Sequence, residues 1–418
     1  MQMISDPKTK HALSSTGEVE QVSAKSVSSL DKLAQQPLWD LAFRPWFLAA
    51  SLSSVISIGI WILYLHGQFS GFTTGAISPV IWHIHEMLFG FGATIAVAFL
   101  LTAAQTWTNK RSINGLALIG LTLIWLAVRV LLWSSDPRLQ LASMALQATW
   151  WIVSIAYIAN MVISAQSKRN YQFIPILSAM MLLNIGFLAA DYSGHTELAL
   201  HLSRSAILLF GLIVGVIGGR VIPFFTGRGT EGSNVISTPR LDKLIPVAMI
   251  TGVSIFFIDY FVNLPFSPAM ILILTGVLHL ARLLHWDSIA TRKVPLLWSL
   301  HASYLALSLG LIALGISYYT DSVRFADALH IITVGTIGAM ILGMIARVSL
   351  GHTGRALKPH ASINIAFALI LIGALARVIL PLMQKPILGW DISALCWIVS
   401  FGLFIWHYTP ILLRARQN

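Results

Sequence analysis

From residue 46 onward the chain alternates between long apolar runs and short polar breaks. An apolar run of about 20 residues suffices to cross a bilayer as a helix. Such runs fall near 46–65, 82–104, 114–134, 139–164, 173–190, 199–219, 244–262, 267–286, 294–317, 327–349, 361–383 and 389–412. The break between Asn263 and Pro268 divides the 244–286 stretch, because its two prolines interrupt a helix. The pattern predicts an all-α membrane protein with about twelve transmembrane helices in a single domain over 41–418. Residues 1–40 differ: they are rich in Ser, Lys, Gln and Glu and hold no long apolar run. They read as a disordered cytoplasmic tail. With no apolar core or small-residue cleavage site, the tail is not read as a signal peptide, so the first span does the targeting.

Composition agrees with lipid as the main solvent. Hydrophobic residues make up 56% of the 418 and charged residues only 10%, against about 25% charged in soluble domains. The net charge of +11 does not point to nucleic acid, because the basic residues are scattered through short breaks and form no stripe. The single cysteine, Cys396, sits inside an apolar run, so neither an internal disulfide nor a thiolate metal site is expected. With 13 His present, metal chemistry should be imidazole chemistry. Charge also orients the chain. If both termini are cytoplasmic, every Lys and Arg lies on the inner side except Arg129, Arg138, Arg204, Arg324, Arg377 and Lys385. The reading is a multi-pass protein of the bacterial inner membrane whose even-numbered spans run from the outer face inward.

On that layout four histidines fall at one depth. Span two opens with Trp82-His83-Ile84-His85-Glu86, span six with His201, and span ten with Asp327-Ala328-Leu329-His330. Four spans separate each histidine-bearing helix from the next, so the chain divides into three pseudo-repeats of four helices. Imidazole suits haem iron, copper and zinc. Two imidazoles from facing helices can hold haem iron on both axes, and one leaves a position open for a gas. His83 and His85 are about 200° apart around a helix and cannot share one target. Glu86, near the His83 face, could be a ligand, an orienting group or a proton carrier. Gly90 and Gly92 offer close approach, and Arg129 and Arg204 could pair with haem propionates. The competing reading of any one of these histidines is an ordinary interhelical hydrogen bond. Four at one depth on related helices shift the balance, because intramembrane ionisable groups are functional by default.

The remaining histidines look structural. His279, His285, His301 and His407 fall toward the inner side and read as polar interhelical or interface residues, while His352 and His360 lie in an inner loop. Spans six and ten also end alike, with Arg220 and Arg347 at matching points. Anchoring by the positive-inside rule explains them better than a site for a carboxylate, quinone or lipid headgroup.

The segments Trp82–Ala103 (WHIHEMLFGFGATIAVAFLLTA), Gly219–Thr226 (GRVIPFFT) and His330–Arg355 resemble the signatures of the NnrS family, as does the opening FRPWFLAA at 43–50. The resemblance covers nearly the whole chain from Phe43. It implies a bacterial membrane protein containing haem and copper, associated with denitrification and nitric-oxide stress. His83, His85 and Glu86 belong to the first signature and His330 to the third, whereas His201 lies upstream of the second. The arrangement also resembles the catalytic subunit of haem–copper oxidases, with metal ligands on spans two, six and ten. Span seven here lacks the histidine pair that holds copper there. The resemblance implies a haem b held by His85 and His330, with His83 and His201 serving a second metal, copper, or a distal hydrogen bond. Glu86 would move protons for the binding or turnover of nitric oxide, as in a nitric oxide reductase fed by a quinol or a cytochrome. A transporter of metal, haem or a small solute fits the same residues, as does a non-catalytic nitric-oxide sensor or assembly factor.

Overall fold

The computed structural model describes residues 29–72 and 77–417, and among them it contains helices and no strand. Twelve helices are sixteen residues or longer: α1 (Phe43–Leu65), α2 (Pro79–Thr108), α3 (Gly115–Leu131), α4 (Pro137–Ser164), α5 (Phe173–Tyr192), α6 (Thr196–Gly229), α7 (Pro239–Val262), α8 (Ala269–Leu284), α9 (Pro295–Ile316), α10 (Phe325–His352), α11 (Ala361–Leu382) and α12 (Pro386–Leu413). Ten are long and apolar enough to cross a membrane, which makes this a multi-pass membrane protein. The shorter apolar pair, α3 and α8, have 17 and 16 residues. At 1.5 Å per residue they are roughly 24–26 Å long, slightly less than the ~30 Å hydrocarbon core. Helices dominate for a physical reason: in lipid each backbone N–H and C=O must be satisfied within its own segment.

Much of the expected 1–40 tail, residues 1–28, lies outside the described residues. The remainder has structure. Ser29–Ala34 is a short helix that packs on α3, and Pro37–Trp39 is a single 3-10 turn against α1, α3 and α12.

Cross-helix contacts fix the directions. Arg204 and Phe325 meet near the starts of α6 and α10, and the end of α11 meets the start of α10 through Arg377 and Asp327. The end of α1 meets the start of α12 through His66 and Asp391. At the opposite end Arg44, at the start of α1, donates to the carbonyls of Leu412 and Arg414. Thr226, late in α6, meets His301, early in α9. We call the end where α2, α6 and α10 begin the upper end.

These three helices form the interior. The apolar stretches of α2 and α10 are each 83% buried and that of α6 is 67%, whereas α1, α7 and α11 reach only 22–33%. Lipid is as apolar as leucine, so hydrophobicity alone does not sort inner helices from outer ones; small residues and polar contacts do. Gly92 brings α2 against Phe210 of α6 and Ile337 of α10, where a Cβ would lie 3.3 and 3.6 Å from their side chains. Gly276 lets α8 close on α9, with the Ser308 carbonyl 2.7 Å from the place of a Cβ.

Gly276→Val therefore forces two backbones apart and should destabilise the protein by about 1–3 kcal/mol. Gly120→Val, where nothing lies within 4 Å, should be near neutral. Thermal unfolding in detergent separates the two, and equal midpoints would contradict this account of the α8–α9 contact.

Candidate functional site

The upper turns of α2 and α10 are not plain α-helix. Each changes to a π-helix, at His85–Ala93 in α2 and Ile331–Gly338 in α10. Such i→i+5 segments are rare and gather at functional sites. Both hold two glycines, which weaken the local α-helical preference. In α2 the carbonyl of Phe89 accepts from the Thr94 hydroxyl at 3.1 Å, and that hydroxyl accepts from Trp125 Nε1 at 2.9 Å. The widened turn is thus tied to α3.

His85 opens the first π segment and is wholly buried. Its Nδ1 lies 3.0 Å from Glu86 Oε1. A carboxylate can only accept, so Nδ1 carries the proton and Nε2 presents its lone pair. That Nε2 has no partner. A buried imidazole braced by a carboxylate, with its other nitrogen free, is how protein metal sites orient a histidine ligand.

Glu86 is itself held from three sides. Arg129 Nε is 3.5 Å from Oε2, Ser53 donates to the same oxygen at 3.3 Å, and His85 occupies Oε1. Arg129 also donates to the Trp125 carbonyl at 2.7 Å, with its guanidinium 4.4 Å from the Trp125 ring centroid. Gly90 makes room, since a Cβ there would sit 3.0 Å from Arg129 Nη2 and 3.1 Å from Glu86 Oε2. Arg129, expected to meet a haem propionate, is therefore engaged with Glu86.

His83 faces another way. Its ring stacks on Trp61 of α1 at 4.4 Å, its Nδ1 is buried without a partner, and it lies within electrostatic range of His330 and Arg377. The different directions of His83 and His85 agree with their angular separation on the helix. His330 Nδ1 lies 2.6 Å from the Ala326 carbonyl, so Nδ1 donates and Nε2 holds the lone pair. His83 thus packs against α1, while His85 belongs with Glu86 and Arg129. His201 stands apart from both. It stacks on Tyr260 at 4.5 Å and Phe256 at 5.1 Å, and its Nε2 donates to the Phe257 carbonyl at 3.1 Å, so it braces α6 against α7. Arg204 lies over the Phe325 ring. Among the described residues no three His, Cys, Asp or Glu side chains converge as a ready-made metal cage. An axial haem ligand needs only one or two imidazoles; the unpartnered Nε2 of His85 suits that role, and His330 Nε2 carries the lone pair for it.

Sequence reading passed over the ion cluster beside His330. Asp327 is buried and takes Arg377 Nη1 on Oδ1 at 2.5 Å and Arg324 Nε on Oδ2 at 2.8 Å. It lies one helical turn before His330, so the cluster fixes that turn of α10 to α11. The signal was present in the charges. Of the six basic residues that break the positive-inside pattern, Arg129, Arg324 and Arg377 are the ones that pair with buried carboxylates.

Lower in the bundle is a second polar cluster. Tyr304, His279 and Arg282 are buried together. His279 Nδ1 lies 2.6 Å from the Tyr304 hydroxyl, which accepts from Arg282 Nε at 2.8 Å, and Arg282 Nη2 donates to the Gly215 carbonyl at 2.7 Å. His301 bridges the hydroxyls of Thr226 and Ser288. His360 and His407 stack and share the Ser362 hydroxyl. These contacts join neighbouring helices.

The sequence pattern of the NnrS family, described as NnrS protein, matches residues 37–416, and the chain belongs to that family. A comparison with curated proteins finds no match.

Removing one member of a buried ion pair strands the other. Glu86→Ala should cost about 3–5 kcal/mol, and adding Arg129→Leu should recover a large part of it. Denaturation of the single and double variants in detergent measures the coupling, and strict additivity would show that the pair is not energetically joined. Asp327→Asn should likewise lower stability, by less because the amide keeps an acceptor for Arg377.

Proposed function

We propose that this NnrS-family protein binds haem b at the upper end of its bundle and uses it to bind or metabolise nitric oxide. The observation that carries this reading is His85: fully buried, fixed by Glu86 through Nδ1, with Nε2 free and unpartnered. An unsatisfied imidazole nitrogen in an apolar interior is costly unless something binds it. His330, whose Nδ1 is committed to the Ala326 carbonyl so that Nε2 carries the lone pair, is the second candidate axial ligand. His83, whose Nδ1 is buried without a partner, is the candidate for a copper ion or a distal hydrogen bond. His201 is the weakest candidate, because its Nε2 is committed to Phe257.

When bound, the haem would supply the iron position at which nitric oxide coordinates. The chain's own contributions are separate. His85 is held in one tautomer by Glu86. Glu86 pairs with Arg129 through Oε2 and can pass a proton at Oε1 to or from Nδ1 of His85. Asp327 with Arg324 and Arg377 holds the His330 turn in place. The surrounding apolar helices exclude water, which strengthens each of these contacts.

The expected setting is the bacterial inner membrane, with twelve spans in three groups of four, both termini cytoplasmic and the upper end in the outer leaflet. The retained basic residues support the orientation. Arg129, Arg324 and Arg377 need no anchoring role, because each is ion-paired with a buried carboxylate. Electrons for any turnover would come from a quinol or a cytochrome. A sensor or assembly factor would use the same site without turnover. A transporter of metal, haem or solute is less favoured, because these imidazoles cluster at one end and not at mid-membrane broken helices.

Protein purified after expression with ample haem should show a Soret band in the dithionite-reduced state that shifts on adding nitric oxide. His85→Ala should abolish or strongly alter it, and His330→Ala should change the ligation spectrum. A wild-type preparation with no Soret band would refute the reading. Anaerobic loss of nitric oxide with a reductant present distinguishes an enzyme from a sensor.

A further inference from the structure

Between α2, α6 and α10 lies a small pocket of about 60 Å³, open on one side. Ile95 and Phe99 of α2, Phe210 and Val214 of α6, and Ile337 and Met344 of α10 line it, with Phe47 of α1 behind. No lining side chain is polar. Protein interiors rarely keep voids larger than a water molecule. A water here would need two to four polar partners, and the helical backbone offers none to spare, so the space stays dry. Dry apolar cavities bind small apolar molecules.

Its position relates it to the histidines. Phe210 and Ile337 line the cavity and also meet at Gly92. Gly92 follows His85 by seven residues on the same helix, a rise of roughly 10 Å. The glycine contact thus lies beside the cavity, on the same helix as His85 and about two turns from it. Ala96, Phe99, Ile217 and Val221 are half-exposed, whereas Phe47, Phe210 and Ile345 are buried.

We propose that this cavity is a binding site for a small uncharged gas, which waits there between the lipid and the histidines. The identity of that gas as nitric oxide rests on the proposed function; the cavity's selectivity for small apolar molecules does not. Size and burial favour a diatomic molecule over an acyl or isoprenoid chain. A chain threaded past the buried Phe47, Phe210 and Ile345 would have to part the three central helices.

Xenon is the probe. Crystals of the full chain equilibrated under xenon should show a peak among Phe210, Ile337 and Met344. Ala96→Phe, which fills the cavity from its half-exposed side, should remove that peak. It should also slow nitric-oxide binding to the reduced protein several-fold while the Soret spectrum stays unchanged. No xenon at this place, ordered water there, or density for a lipid or isoprenoid chain would overturn the proposal. Unchanged binding kinetics in a variant that has lost the xenon peak would overturn the delivery role. If xenon binds but the protein holds no haem, the proposed function fails and the cavity assignment stands.

Discussion

Glu86 and Arg129 are opposite charges held in an apolar interior, and the upper half of the bundle is arranged to keep them together. A charge at the centre of a membrane helix costs about 2.5–3.5 kcal/mol on insertion scales. Here each charge lies beside the other, and Ser53 and the Trp125 carbonyl meet part of their remaining polar atoms, while Arg129 Nη2 stays without a hydrogen-bond partner. Gly90 gives the pair its space, Ser53 reaches in from α1, and Trp125 supplies both a carbonyl and a ring face. His85 then has one nitrogen taken by Glu86 and one left over. The free nitrogen, on which the proposed chemistry turns, follows from the ion pair.

The same logic repeats around Asp327. Its two oxygens are divided between Arg324 and Arg377, one from its own helix and one from α11. In α2 the acidic residue adjoins its histidine; in α10 it precedes the histidine by a turn. Both helices then widen into a π segment. The two π turns sit on two of the three most buried helices and close to the gas cavity. They distort the backbone where side chains from several helices must converge. The third inner helix, α6, shows no such segment, and its His201 serves as a brace to α7. The three inner helices thus carry unequal duties.

The lower half has a different character. Arg282, Tyr304 and His279 form a buried knot between α8 and α9, packed against Gly215 and Gly219 of α6. A Cβ at Gly215 would stand 2.8 Å from His279 Cε1, and one at Gly219 would stand 2.6 Å from Arg282 Nη1. Small residues here admit polar side chains, where in a soluble protein they would more often admit bulk. The knot joins three helices that lipid alone would not press together.

Sequence by itself determined the membrane class, the helical runs, the family and the identity of the histidines at one end. Hydrophobic length is a one-dimensional property, so α2, α6 and α10 could be placed, and His83, His85, Glu86 and His330 marked, without a fold. The runs at 114–134 and 267–286 read as full spans, and the structure gives helices of only 17 and 16 residues there. Tertiary structure decided which residues meet. No spacing rule shows that Arg129 turns to Glu86, that His83 stacks on Trp61, or that His201 faces α7. Those outcomes depend on the rotation of each helix about its axis, which is set by glycine contacts and by the pairing of buried charges between helices. The arginines on the wrong side of the charge pattern held the clue, because a charge that does not serve as an anchor must be neutralised by a partner inside.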